Sequence, residues 1–295
     1  MNMELRVLKY FLTAAQEKNI TKAAEILHIT QPTLSRQLME LEEELNAKLF
    51  IRGKRNITLT NSGLFLKERA EEILELSEKT KNDFLNNENM IKGIISIGCV
   101  EAECMEEFVD TIKIFQNKYP NVQFDLYNGY GDDIKEKIEK GIADIGVVLE
   151  PIDISKYDFI KLSQKEIWGL LVNKKNPLAE KDKISLNEFF SYPIILPKRG
   201  AVQNEILNWF DEKMINPNIT AFYNLLSNGI IFVEKDLGCA VCMKGALGIK
   251  NNKNIKFIPF APEKITNGVI IWKKNKVLSP CVSLFIDEIK NAYRA

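Results

Sequence analysis

The chain has 295 residues, balances 40 Lys and Arg against 40 Asp and Glu, and carries a single histidine. That length suits about two domains, each with its own core, and zero net charge excludes a global basic field, so any affinity for nucleic acid must sit in a local patch. No apolar run approaches about eighteen residues and no charged-then-apolar leader is present, which argues against membrane insertion and secretion and for a soluble, cytoplasmic chain, while five cysteines do not form a disulfide framework.

Residues 3–17 place Leu5, Leu8, Phe11, Leu12 and Ala15 at helical spacing, a first helix that buttresses the next two. A second helix is expected from Thr21 through Leu27, with Thr21 as N-cap and Ala23, Ala24 and Leu27 on one side. His28-Ile29-Thr30 makes a turn. Thr30 caps a third helix, where Pro32 is tolerated because first-turn amides have no intrahelical partner. Leu34, Leu38, Leu41 and Leu45 form one apolar stripe on it. The other side presents Gln31, Pro32, Thr33, Ser35, Arg36 and Met39, and its later turns are acidic (Glu40, Glu42, Glu43, Glu44). A polar N-terminal end with one Arg fits a major groove, and an acidic end stays off the phosphates. Arg52, Lys54 and Arg55 then surround a Gly53-containing turn between Leu49-Phe50-Ile51 and Ile57-Thr58-Leu59, a basic wing suited to backbone phosphate. Periodicity alone would also allow an amphipathic helical hairpin with solvated charges.

The quoted residues, together with Ala14-Ala15, Thr21-Lys22-Ala23-Ala24, Thr30-Gln31-Pro32, Leu34-Ser35-Arg36-Gln37, Leu49-Phe50, Leu59-Thr60 and Gly63, resemble the winged helix-turn-helix of LysR-type transcriptional regulators. The resemblance implies a double-stranded DNA operator, a small-molecule effector, a homodimer or homotetramer, and RNA polymerase as a partner. No cofactor and no membrane are expected, and with no His outside the DNA-binding half to serve as base, no nucleophile elbow and no phosphate-cradling P-loop, nothing points to enzymatic activity.

From Thr60 to about Asn89 there is no proline, and Leu66, Ala70, Ile73, Ser77, Thr80 and Phe84 alternate spacings of four and three. That is close to a heptad seam; one surface helix lying against its own domain would read the same way. The resemblance implies a dimerisation arm, and Asn86-Asn87-Glu88-Asn89 reads as a linker.

From Gly93 short apolar runs alternate with amphipathic helices, the signature of α/β construction. Strands are expected over 94–99, 122–127, 144–149, 167–172, 194–196, 219–223, 239–243, 257–260 and 269–272. Helices are expected over 105–119, 132–140, 186–190, 202–213, 226–234 and 282–292. This part resembles the effector-binding domain of the same family, with the fold of type 2 periplasmic binding proteins: two α/β subdomains sharing a cleft. The matches there are Gly141 with Ala143-Asp144-Ile145-Gly146, Pro177-Leu178-Ala179 and Gly238. The expected division is 1–59 for the DNA-binding domain, 60–91 for the connecting helix and hinge, and 92–295 for the sensor, split into 92–162 with 266–295 and 163–265.

Gly129-Tyr130-Gly131 invites a dinucleotide-loop reading, but Ile134 stands at the third glycine position and Asp132 and Asp133 would repel a pyrophosphate. A turn lining a cleft is the better reading. Cys239 and Cys242 form a C-x-x-C whose side chains would leave opposite faces of a strand, so buried thiols suit them better than zinc. A redox switch at Cys99 and Cys104, in a regulator without an effector, is an alternative, but Glu101, Glu103, Glu106 and Glu107 disfavour the thiolate. A metabolite-binding protein with a vestigial N-terminal domain is another.

Ligands collect at the carboxyl ends of strands in such folds. That nominates Cys99, Val100, Glu101, Ala102 and Glu103, then Tyr127, Asn128, Gly129 and Tyr130, and the Leu149-Glu150 end. Pro197, Lys198, Arg199, Gly200 and Val202, with Asn224 and Met243, complete the set. Family members commonly carry Ser or Thr after the first strand where this chain has Val100-Glu101-Ala102-Glu103. Two carboxylates there would repel an organic acid unless Lys198 or Arg199 neutralises them, which suits an effector that is neutral or carries an amine; both Glu side chains pointing to solvent is the alternative.

Overall fold

The structure, a computed structural model, describes residues 3–53, 56–84, 91–189, 192–198, 200–211, 217–246 and 252–293. It divides into two compact units that meet in sequence at Leu85 and Asn86.

In the first unit α1 (Leu5–Glu17), α2 (Ile20–Ile26) and α3 (Gln31–Glu44) close around Leu8, Phe11, Ala23, Ala24, Leu34, Leu38 and Leu41. Strands β1 (Phe50–Arg52) and β2 (Ile57–Leu59) pair antiparallel, and α4 (Asn61–Phe84) comes next. Helix α2 begins one residue before the expected start: Asn19 is its N-cap and accepts from the Lys22 amide at 3.1 Å, which leaves Thr21 exposed. Asn serves that role at least as well as Thr. Thr30 caps α3 as expected, its hydroxyl accepting from the Thr33 amide.

Glu42 departs from the solvated acidic end expected for α3. It is buried, and its Oε1 accepts from the Leu49 amide at 2.8 Å and the Phe50 amide at 3.1 Å, while Oε2 accepts from Lys48 Nζ. The carboxylate therefore ties α3 to the start of the wing. Burial alone would raise its pKa, but the hydrogen bonds from Leu49, Lys48 and Phe50 outweigh it and hold the pKa below the usual range.

The seam expected along α4 is partly used inside its own unit, since Leu66 and Ala70 are buried in the core with α1. Among its described residues the exposed large apolar side chains are Leu64, Phe65 and Leu76, at 56%, 62% and 42% exposure. Phe65 and Leu76 are eleven residues apart, three turns, and so share one side. The expected linker 86–89 lies outside the described residues, as does the side chain of Phe84.

The second unit runs β3 (Gly93–Cys99), α5 (Cys104–Lys118), β4 (Val122–Asn128), α6 (Gly131–Glu139), β5 (Ile145–Leu149) and β6 (Tyr157–Asn173). It continues through α7 (Leu186–Phe189), β7 (Ile194–Pro197), α8 (Gly200–Asp211), β8 (Ile219–Tyr223), α9 (Leu226–Glu234) and β9 (Cys239–Met243). Strands β10 (Ile255–Pro259) and β11 (Ile265–Lys273) and helix α10 (Pro280–Tyr293) close it. The strand path is β4-β3-β5-β11-β6-β9-β7-β8, with β10 on β6.

Strand β6 is 17 residues long, far beyond the six expected, because its first half pairs with β11 and its second with β9 and β10. Tyr157 and Leu162 belong to one core with β3–β5 and α10. Trp168, Leu170 and Val172 belong to another, and Leu171, pointing the opposite way, to a third with α9. At the crossover Glu166 is fully buried and accepts from the Cys104 amide at 2.6 Å, pinning the start of α5; burial pushes its carboxyl up.

Glu42→Ala removes the acceptor of two buried amides and should cost about 2–4 kcal/mol. Because the native carboxyl titrates below the unfolded one, its stabilisation is complete above the unfolded pKa and is lost as pH falls through the lowered native value. Urea unfolding should therefore show a wild-type advantage at neutral pH that shrinks below about pH 4.

Candidate functional site

The first candidate surface is the outer side of α3. Gln31, Pro32, Thr33 and Arg36 are exposed and Ser35 is half-buried, while Leu34 and Leu38 face the core. Arg36 is 71% exposed and its Nε lies 3.4 Å from Glu40 Oε1, with Gln37 donating to the other oxygen of Glu40 at 2.6 Å. Such an exposed pair is worth little, so the guanidinium can exchange Glu40 for another acceptor. Thr21 is exposed on α2. Arg52 ends β1 opposite Ile57, and the Gly53 amide donates to the Asn56 carbonyl across the wing turn. Lys54 and Arg55, and the side chain of Arg52, lie outside the described residues.

The second candidate is a cleft of about 300 Å³ at the carboxyl ends of β3, β4 and β5, facing the ends of β7, β8 and β9. It collects Val100, Glu101, Tyr127, Asn128, Gly129, Tyr130, Leu149, Pro197, Asn224 and Met243 from the sequence-derived set. Helix α6 can start at its edge because Gly98 and Gly146 lie against Ile134. A Cβ on either would come within 2.7 Å of Ile134 Cγ2. The turn 129–131 behaves as a cleft-lining turn: Asp133 accepts from the Tyr130 amide, so the α6 N-terminus is already capped by a carboxylate.

Several nominated residues lie elsewhere. Cys99 and Ala102 are buried, the Cys99 thiol donating to Asn128 Oδ1 at 3.0 Å. Glu103 packs against Gly245, where an added Cβ would meet its own Cβ at 2.2 Å. Glu150 is drawn away by Lys161 at 2.7 Å and Asn267 at 2.8 Å. Lys198 is exposed and is absent from the lining, although its amide donates to the Tyr223 carbonyl. Arg199 lies outside the described residues, as do the surfaces of Gly200 and Val202 at the start of α8.

Sequence reasoning missed Asp133, Trp168, Tyr223, Leu225, Leu226, Cys242 and Ala246 as lining residues. Tyr223 carried a usable signal as the last residue of a strand. Trp168 carried none: only its register opposite Met243 in the β6–β9 pair brings it to the cleft. The Tyr223 hydroxyl donates to the Val241 carbonyl at 2.8 Å, which fixes the ring, and Tyr130 donates to the Tyr223 carbonyl. Burial above all pushes the Tyr223 phenol well up, with Cys242, Tyr130 and Glu101 adding to it.

All five cysteines are free and buried. Cys239 and Cys242 face different cores across β9. The thiols of Cys104 and Cys239 are pushed up to about 12, and those of Cys99 and Cys242 also upward, by burial first in each case. For Cys104 the next contribution is Glu166, a residue the sequence did not place near it. Among the described residues no cluster of three His, Cys, Asp or Glu gathers as a metal site.

Residues 5–64 match the model of the bacterial regulatory helix-turn-helix proteins of the lysR family, and residues 89–294 that of the LysR substrate binding domain. The chain belongs to the LysR family. YybE of Bacillus subtilis (strain 168), an uncharacterized HTH-type transcriptional regulator, is 30% identical over 284 residues, 96% of this chain and 97% of YybE. The HTH-type regulator IlvY of Escherichia coli (strain K12) is 26% identical over 94% of this chain and 91% of its own. The crystal structure of CbnR, a LysR family transcriptional regulator, superposes with a TM-score of 0.80 at 19% identity, over 99% of this chain and 100% of CbnR. CbnR has also been solved with its target DNA, with a TM-score of 0.78 at 20% identity over 98% and 100%. As a LysR-type regulator the chain joins a DNA-binding helix-turn-helix to a mixed α/β effector-binding domain, the arrangement in which regulation by an effector is typical. Among the described residues no helix is long and apolar enough to cross a membrane.

With every thiol buried, and those of Cys99, Cys104, Cys239 and Cys242 raised, native protein at neutral pH should react with iodoacetamide no faster than it opens. Alkylation and then intact mass should show five modifications in urea and close to none in buffer over the same interval. Rapid labelling of Cys99 or Cys104 in the native state would restore the redox reading.

Proposed function

We propose that residues 1–59 read DNA through α3, residues 60–91 connect and dimerise, and residues 92–295 sense the effector. The observation that supports this most directly is the division of α3 into a buried leucine face and an exposed Gln31–Arg36 face, held in place by the Thr30 cap and Glu42. Arg36 is the main base reader, because a guanidinium suits the paired acceptors of guanine in the major groove. Thr21, Gln31, Pro32, Thr33 and Ser35 touch bases or phosphate, and Arg52, Lys54 and Arg55 hold the backbone.

A second copy supplies the second recognition helix, since two half-sites lie about one turn of DNA or a multiple apart. The exposed Phe65 and Leu76 on α4 suit the contact between copies. The Val100–Tyr130 and Pro197–Met243 sides of the cleft take the effector. Its binding shifts the population of subdomain and subunit arrangements, and with it DNA bending or contact with RNA polymerase. The protein acts in the cytoplasm and catalyses no reaction. The buried, raised thiols weigh against a purely redox-controlled regulator.

Titration of DNA from upstream of its own gene should give saturable binding with a steep salt slope. Arg36→Ala should lower specific affinity by about 1–3 kcal/mol and flatten the preference over random DNA. Equal binding to both DNAs by wild-type protein would sink the regulator reading. Phe65→Glu should shift the full chain toward smaller species in sedimentation at micromolar concentration; an unchanged distribution would move the contact off this side of α4.

A further inference from the structure

We propose that the effector is a small molecule bearing an ammonium group on an apolar or aromatic body, held by the Glu101 carboxylate and the rings of Tyr130, Trp168 and Tyr223. This rests on the reading of the cleft as the effector site. It narrows the alternatives left by the sequence.

Glu101 is half-buried and lines the cleft, yet among the described residues it has no hydrogen bond or ion pair. Carboxylates nearby differ in this respect. Glu107 accepts from Ser163 and Gln164, Glu150 from Lys161 and Asn267, and Asp133 from the Tyr130 amide. No Lys, Arg or His is among the described lining residues, and the second carboxylate at the rim is Asp133. An anion beside Glu101 and Asp133 would meet like charge with no cation among the described lining residues, in surroundings that screen less than water. An ammonium group would pair with the Glu101 carboxylate.

The aromatic walls favour the same charge. A cation over the face of Trp or Tyr is attracted by the ring quadrupole, most strongly when desolvated. The rim already shows this preference, with Lys137 Nζ 4.4 Å from the centre of the Tyr127 ring. The cavity of about 300 Å³ holds about ten non-hydrogen atoms at the ~30 Å³ that a water molecule occupies in the liquid. The start of α9 lines the cleft as well, and its N-cap Leu225 provides no side-chain cap. A carboxylate elsewhere on the same molecule would find amide groups there, so the ammonium could belong to a simple amine or to an amino acid.

The test is calorimetric titration of the full chain with four compounds of one skeleton: 2-phenylethylamine, 2-phenylethanol, phenylacetate and L-phenylalanine. The amine should bind with a Kd of about 1 mM or tighter, ahead of the alcohol, with phenylacetate weakest. Glu101→Gln should weaken the amine at least about tenfold, the loss of one ion pair in a partly desolvated site, while leaving the alcohol unchanged as the check on folding. L-phenylalanine binding above the amine assigns an amino acid, and below it a simple amine. Phenylacetate equal to the amine, or an amine affinity indifferent to Glu101→Gln, overturns the proposal. If phenylacetate binds and Ala246→Phe, which fills the cleft, abolishes that binding, the effector site stands and only the ammonium falls. No binding by any of the four, in protein that still binds its DNA, overturns both.

Discussion

The antiparallel pairing of β6 with β11 is the constraint on which the sensor unit depends. β11 gives Val269, Ile270, Ile271 and Trp272 to the first hydrophobic core, and β6, paired along it, continues from that core into the second. Alternate residues of β6 are apportioned among three clusters: Leu162 to the first, Trp168 and Leu170 to the second, Leu171 to the third. Where the strand passes from one core to the other, Glu166 accepts from the Cys104 amide and fixes the start of α5. The loop 100–103, which carries Glu101 into the cleft, is thereby held between a sheet end and a pinned helix. Continuous strands thus form a shared floor beneath the cleft between the two cores.

The DNA-binding unit uses the same device on a smaller scale. Glu42 looks from its neighbours like one of four solvated acids, but it is the acceptor for the first amides of the wing. Its carboxylate fixes the wing relative to α3, and the Asn19 and Thr30 caps fix the starts of α2 and α3. The exposed polar face is thus presented by a helix whose ends and inner side are all determined. Preorganisation of this kind reduces the ordering cost on binding DNA.

Charge is distributed locally in a chain with none overall. Lys48, Arg52, Lys54 and Arg55 concentrate positive charge around the wing, while the cleft holds Glu101 and Asp133 without a described cation in its lining.

The sequence by itself determined the elements and the family. The leucine stripe of α3, the Thr30 cap, the basic turn and the alternation of apolar runs with amphipathic helices are short-range patterns, dictated by the periods of helix and strand. They also placed much of the cleft, since strand ends are legible wherever a β–α turn is. Only the tertiary structure decided the rest. It turned Glu42 inward, extended β6 to 17 residues, and used Leu66 and Ala70 inside their own unit, leaving Phe65 and Leu76 exposed. It also drew Glu103 and Glu150 away from the cleft and brought Trp168 in. Each of these depends on a partner far along the chain, such as the register of Trp168 against Met243 or the reach of Lys161 to Glu150. Local periodicity records which side of an element is apolar; it does not record which distant residue meets it.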